Sequence, residues 1–89
     1  MVRVFVRHKV EDYAAWRAVY DDFDNQRRAM GVTGDEVFQS VDDPNEVTVW
    51  HDFDSEYSAR AFASSDELRG AMSEAGVQDQ PQVWSTSKM

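Results

Sequence analysis

Hydrophobic and polar residues alternate strictly through VRVFVRHKV, Val2 to Val10. Val2, Val4, Val6, His8 and Val10 fall on one side, and Arg3, Phe5, Arg7 and Lys9 on the other. A sustained period of two predicts a strand. From Asp12 to Gly31 the period changes: Tyr13, Trp16, Val19, Tyr20, Phe23 and Met30 recur mostly at steps of three and four, the apolar stripe of one long helix. Asp12 suits its N-cap, Glu11 and Asp12 complement the positive end of its dipole, Arg27 and Arg28 the negative end, and Gly31 can end it. A stripe so rich in aromatic rings needs a wide apolar partner, which in a short chain means a sheet.

Gly31 and Gly34 precede EVFQSV (Glu36 to Val41), the second predicted strand. Asp42-Asp43-Pro44-Asn45 then carries the residues of a tight turn, and EVTVWHDF (Glu46 to Phe53) returns as the third strand. A second helix starts near Ser55, capped by Asp54 or Ser55, with apolar positions at Tyr57, Ala61, Phe62, Leu68 and Met72. Ser64 and Glu67 have capping-box spacing and predict a break there, followed by a short helix ending at Gly76. After Pro81, QVWSTS reads as a short edge strand.

The order β-α-β-β-α-β predicts an α+β, ferredoxin-like fold: an antiparallel sheet of strand order 4-1-3-2 with its helices on one face. The opposite face carries Phe5, Phe38, Trp50 and Trp84, too large an apolar patch for a monomer. Arg3, Arg7, Thr48 and Asp52 share that face and can pair at its margins. A homodimer packed sheet to sheet is the expected assembly.

The 89 residues make one domain, 1–89. The absence of cysteine removes disulfides and thiolate catalysis, and the charged N-terminus lacks the apolar core of a leader, so the expected location is cytoplasmic. A formal net charge of -8 predicts neither nucleic acid nor membrane as a partner.

The element order, the aromatic first helix and the run FDSEYSARAFASSDELRGAMSEAGV resemble the dimeric α/β-barrel superfamily, and within it the antibiotic biosynthesis monooxygenase-like domains. The resemblance spans Val2 to Trp84. It implies a ligand cavity between sheet and helices and an enzyme of the cofactor-independent monooxygenase or cyclase kind, acting on an aromatic or polyketide-like substrate. Haem-degrading members use a histidine from the second helix; Ser55 to Ala75 contains none, which speaks against haem. No catalytic residue of the family transfers by position.

Candidate chemistry therefore comes from the residues themselves. His8 shares a strand face with Val4 and Val6, and His51 with Val47 and Val49, so both imidazoles are predicted to point into the sheet–helix layer. Either can serve as general base, because imidazole titrates near neutrality. Their places near the ends of antiparallel strands separate them and speak against a two-histidine metal site. Tyr13, Trp16, Tyr20 and Phe62 are candidate substrate-binding walls, with core packing as the plainer alternative. Arg27, on the apolar stripe, is expected to snorkel to the rim, with contact to an acidic ligand as the alternative. Asp21, Asp22 and Asp24 read as a solvated helix face. No metal and no cofactor are expected. The alternative function is a non-catalytic ligand-binding or dimerisation module.

Overall fold

A computed structural model describes residues 1–78 and 80–89. The elements run β1 (Val2–Lys9), α1 (Tyr13–Asp22), α2 (Asp24–Ala29), β2 (Val32–Gln39), β3 (Glu46–Phe53), α3 (Glu56–Ala63), α4 (Asp66–Glu74) and β4 (Gln82–Ser87). The four strands form one antiparallel sheet in the order β2-β3-β1-β4, the expected ferredoxin-like arrangement. No helix among the described residues is long and apolar enough to cross a membrane.

Alternation along β1 and β3 decides what the sheet buries. Val4, Val6, Val47, Val49 and Phe53 are buried, and they pack against Trp16 and Phe23 of the first helical segment and against Ala59 and Phe62 of α3. At roughly 1.5–3 kcal/mol for each fully buried large apolar side chain, this layer is the main source of stability. Among the described residues no element covers the other face. There Phe5 stacks on Trp84, with ring centroids 5.2 Å apart, and the Arg3 guanidinium lies 3.7 Å above the Trp50 ring. Arg3 also donates to both Asp52 carboxylate oxygens, at 2.7 and 3.0 Å, so the marginal ion pair expected from the sequence forms.

Several local expectations need correction. The first helix is two, α1 and α2, joined by a tightened turn at Phe23. There the Tyr20 carbonyl accepts from the Phe23 N–H at 3.2 Å and also from the Arg27 guanidinium, so a side chain competes for a helical acceptor. β2 begins at Val32 and ends at Gln39, four residues before the predicted start and two before the predicted end, since Val41 is fully exposed. Gly31, at φ 103°, turns the chain directly into the sheet, where Val32 pairs with Phe53 and a bulge falls between Val32 and Gly34. Tyr57 and Ala61, assigned to the apolar face of the second helix, are exposed; Phe62 faces the core as expected, with Ala59 beside it. The helix does break as predicted, but its new cap is Ser65, which accepts from the Leu68 N–H at 3.1 Å. The Ser64 hydroxyl turns back to donate to the Arg60 carbonyl at 2.9 Å.

The turn at Asp42–Asn45 does more than reverse the chain. The Asn45 side chain accepts from the Tyr13 N–H at 3.0 Å while Asp12 accepts from the Ala15 N–H at 2.9 Å. Two of the orphan amides opening α1 are thereby satisfied, one from the hairpin and one from the cap itself. Ser65→Ala is expected to lower the unfolding free energy by about 1 kcal/mol. Ser64→Ala should have less effect. Urea denaturation of both variants measures the difference, and equal losses would contradict Ser65 as the cap.

Candidate functional site

β1 and β3 pair with Val6 opposite Val49, which puts His8 opposite Val47 and His51 opposite Val4. The two imidazoles thus rise from the same face, four positions apart, or roughly 13 Å along the strands. Both are buried, at 6% and 3% exposure. Between them lies a half-open cavity floored by Val6 and Val49. Trp16, Val19, Tyr20 and Phe23 form one wall, and Leu68, Ala71, Met72 and Ala75 the other. The space open to a water-sized molecule is about 40 Å³, although the empty volume between the walls, including the part open to solvent, is about 440 Å³. The smaller figure decides what fits: water does, a ring-sized guest requires a wall to move.

The predicted residues divide. His8, His51, Trp16 and Tyr20 line the cavity, with the rings of Trp16 and Tyr20 stacked at 4.9 Å. Tyr13 and Phe62 do not line it. Tyr13 packs beside Trp16 at 5.9 Å between centroids, and its hydroxyl accepts from Arg17 at 3.4 Å. Phe62 is fully buried behind His51, 4.9 Å from its ring. The separation of the histidines is as expected, but the two ends of the strands are also the two ends of one cavity.

Arg27 is the residue whose role the sequence misjudged. It does not snorkel outward; its side chain is 3% exposed and lines the cavity. Its charge is met internally. The guanidinium stacks 3.7 Å over the Tyr20 ring, donates to the Tyr20 carbonyl, bonds Asp24 at 3.1 Å and approaches Asp35 at 3.5 Å. Asp35, also missed, accepts from the Tyr20 hydroxyl and from Arg28 at 2.8 Å. The signal was present in the helical period: an arginine on the buried stripe, with an acid four residues beyond its glycine cap.

These surroundings set the protonation states. Burial pushes His8 down to about 4, and burial with the nearby Arg27 charge pushes His51 down to about 4. Both are neutral at pH 7. Burial would raise Asp35, but the bonds from Tyr20 and Arg28 and the Arg27 charge outweigh it and hold the carboxyl below its usual range. Burial and the bond to Asp35 hold the Tyr20 phenol protonated. Among the described residues, neither nitrogen of His8 or His51 has a hydrogen-bond partner, nor does the Arg27 Nε. Uncompensated buried polar atoms cost ~1–3 kcal/mol each, which makes them informative in a natural structure. Among the described residues no three acidic or imidazole groups are close enough to hold a metal ion.

Comparison of the whole chain with solved structures agrees with this architecture. A Bordetella bronchiseptica protein provisionally named an antibiotic biosynthesis monooxygenase superposes with a TM-score of 0.82 at 18% identity, over 99% of this chain and 96% of that one. A Nitrosomonas europaea protein of the same provisional name gives 0.78 at 14%, over 100% and 99%. This chain has the antibiotic biosynthesis monooxygenase-like fold. A variant of SnoaB, a cofactor-independent oxygenase from Streptomyces nogalater, also matches at 0.78 and 11% identity, over 98% and 91% of the two chains. No protein-family model and no curated protein matches the sequence. At these identities the shared monooxygenase-like feature is the backbone, and the cavity residues described above are this chain's own.

The depressed imidazoles have a measurable consequence. A histidine whose folded pKa lies below its unfolded value of about 6.5 favours the unfolded state as pH falls from that value toward the folded one. Stability is therefore expected to drop between about pH 6.5 and 4, on the order of 3 kcal/mol per imidazole. Proton NMR should show both rings neutral until near pH 4, and a ring titrating near 6.5 in the folded protein would contradict its burial.

Proposed function

We propose that this chain is a small-molecule enzyme of the cofactor-independent monooxygenase or cyclase type, working on an aromatic or polyketide-like substrate held between sheet and helices. One observation carries the reading: two neutral imidazoles, without a hydrogen-bond partner among the described residues, line an otherwise apolar cavity that has a buried guanidinium at one end. A structural histidine normally satisfies at least one ring nitrogen. A cofactor-independent oxygenase is among the solved structures that share this fold, which supports the same direction.

The chemistry begins with removal of a proton from an enol, phenol or activated methylene. His51 is the better placed base, because Arg27 beside it can hold the anion that forms and that anion raises the proton affinity of the imidazole, while His8 serves the far end of the substrate. Aromatic and aliphatic walls keep water from the resulting anion. In the oxygenase variant, dioxygen takes electrons from the substrate carbanion. A methylene becomes a carbonyl, one oxygen atom stays in the product, and the other leaves as water with the two hydrogens. In the cyclase variant the same carbanion attacks a carbonyl of its own chain and oxygen is not consumed.

The working unit in this reading is a homodimer joined through Phe5, Phe38, Trp50 and Trp84. Phe38 and Trp84 remain about half exposed in the single chain, and a second sheet would cover them. The second reading is a non-catalytic ligand-binding or dimerisation module, and the closeness of the walls, with Trp16 and Tyr20 stacked as in a packed core, favours it.

Oxygen uptake and product mass with a panel of hydroxylated polycyclic quinols distinguish the two. Turnover is expected, with His51→Gln reducing kcat at least 100-fold, the lower end for loss of a general base. Binding without conversion across the panel would leave the module reading standing. Light scattering should give a dimer at micromolar concentration, and Phe38→Glu with Trp84→Glu should give a monomer. A wild-type monomer would overturn the sheet-to-sheet assembly.

A further inference from the structure

The Arg27 end of the cavity has a charge arithmetic of its own. Arg27 and Arg28 face Asp24 and Asp35 in one contiguous cluster, with N–O separations of 2.8 to 3.5 Å. Two positive and two negative charges cancel. The terminal nitrogens of Arg27 are committed to that cluster and to the Tyr20 carbonyl. Its Nε–H is left buried without an acceptor, on a residue that lines the cavity. His51 stands on the same cavity, directly across the β2–β3 ladder from Asp35, with both ring nitrogens free among the described residues.

A lone anion entering here would gain the Nε–H but leave the neutral cluster with an uncompensated buried charge, which is expensive. A ketone would offer His51 no proton, and an amide would meet the two groups only through separate atoms. An acid that arrives with its proton solves both problems, because the oxyanion satisfies Arg27 and the proton satisfies His51. We infer that Arg27 and His51 are a paired acceptor for one acidic oxygen: a flat enol, phenol or carboxylic acid enters, its oxygen lies against the Arg27 Nε–H as an oxyanion, and its proton rests on an imidazole nitrogen of His51. This rests on the reading of the cavity as the ligand site, and it holds whether or not a reaction follows.

The surroundings of His51 determine the sign of the pH effect. Tyr20 of α1, Arg27 and Arg28 of α2, Asp35 of β2 and Asp52 of its own strand are the titratable and charged groups around it, while Phe62 of α3 and the cavity-facing residues of α4 carry no charge. In the empty site burial and Arg27 keep His51 neutral. A bound oxyanion adds a negative charge beside it and raises its affinity for a proton. Binding of an ionised acid must then take up a proton, and affinity must fall as pH rises, by up to about tenfold per unit.

Benzoate and benzamide, which differ by that one charge, test the pairing by titration calorimetry and Trp16 fluorescence, with no turnover required. Benzoate is expected to bind at least tenfold more tightly than benzamide near pH 6, with proton uptake visible as a buffer-dependent heat. Its affinity should weaken between about pH 5.5 and 7.5. Arg27→Met is expected to abolish the preference for benzoate, and His51→Gln to abolish proton uptake and the pH dependence. Equal binding of the two probes, no binding of either, or benzoate binding without proton uptake would overturn the inference. Those wild-type results decide it even if either variant fails to fold. Quinol turnover is read separately, so an inactive protein that binds benzoate with a proton sinks the enzyme reading and leaves the acceptor pair intact.

Discussion

The pairing of Val6 with Val49 is the constraint on which the rest depends. It locks β1 to β3 in the register that turns Val4, Val6, Val47, Val49, His8 and His51 to one face. A one-residue slip of β1 would send Arg3, Phe5 and Arg7 into the layer and turn Val4, Val6 and His8 to the outside. Folding and site assembly are thus the same event. The hydrophobic alternation that drives the sheet against its helices also delivers two imidazoles to the two ends of the cavity, at a spacing fixed by strand geometry. No loop has to be ordered to place them.

That dependence explains which parts of the molecule were legible in the sequence. Period-two alternation in β1 and β3, and the Trp16–Tyr20–Phe23 stripe, are strong local signals with a single tertiary solution, so strand order, buried face and both histidines followed from pattern. The errors arose where a side chain overruled the backbone. Arg27 competes for the Tyr20 carbonyl and splits the first helix at Phe23, and nothing in the period of apolar positions announces that competition. Ser64 and Ser65 offer the same hydroxyl one residue apart, and the geometry of the preceding turn, not the residue type, selects Ser65. β2 starts early because Gly31 at positive φ leads straight into pairing, where glycine followed soon by glycine reads as a loop.

Arg27 was harder still, because the expectation that arginine snorkels is correct wherever the charge lacks internal partners. Its partners lie on three elements: the Tyr20 ring and carbonyl on α1, Asp24 on α2 and Asp35 on β2. Only after the sheet is assembled do they converge. A buried ion pair of this kind is weak support for stability, since desolvation offsets much of the attraction. Its more definite effect is to fix the cationic group at one end of an apolar space and so give that space a direction.

The wall opposite Trp16 and Tyr20 is α4, and none of its residues is fully buried. Leu68, Ala71 and Met72 are half-covered, touching the cavity on one side of the helix. Loosely seated elements occupy the low end of a protein's ladder of local opening energies. The space between the walls takes little more than water, so binding of a ring-sized guest would be coupled to displacement of this helix. The fraction of time it stood open would then scale every apparent affinity, and an opening that limits arrival would also limit escape. Residence in such a pocket would be governed by the helix as much as by the contacts inside it.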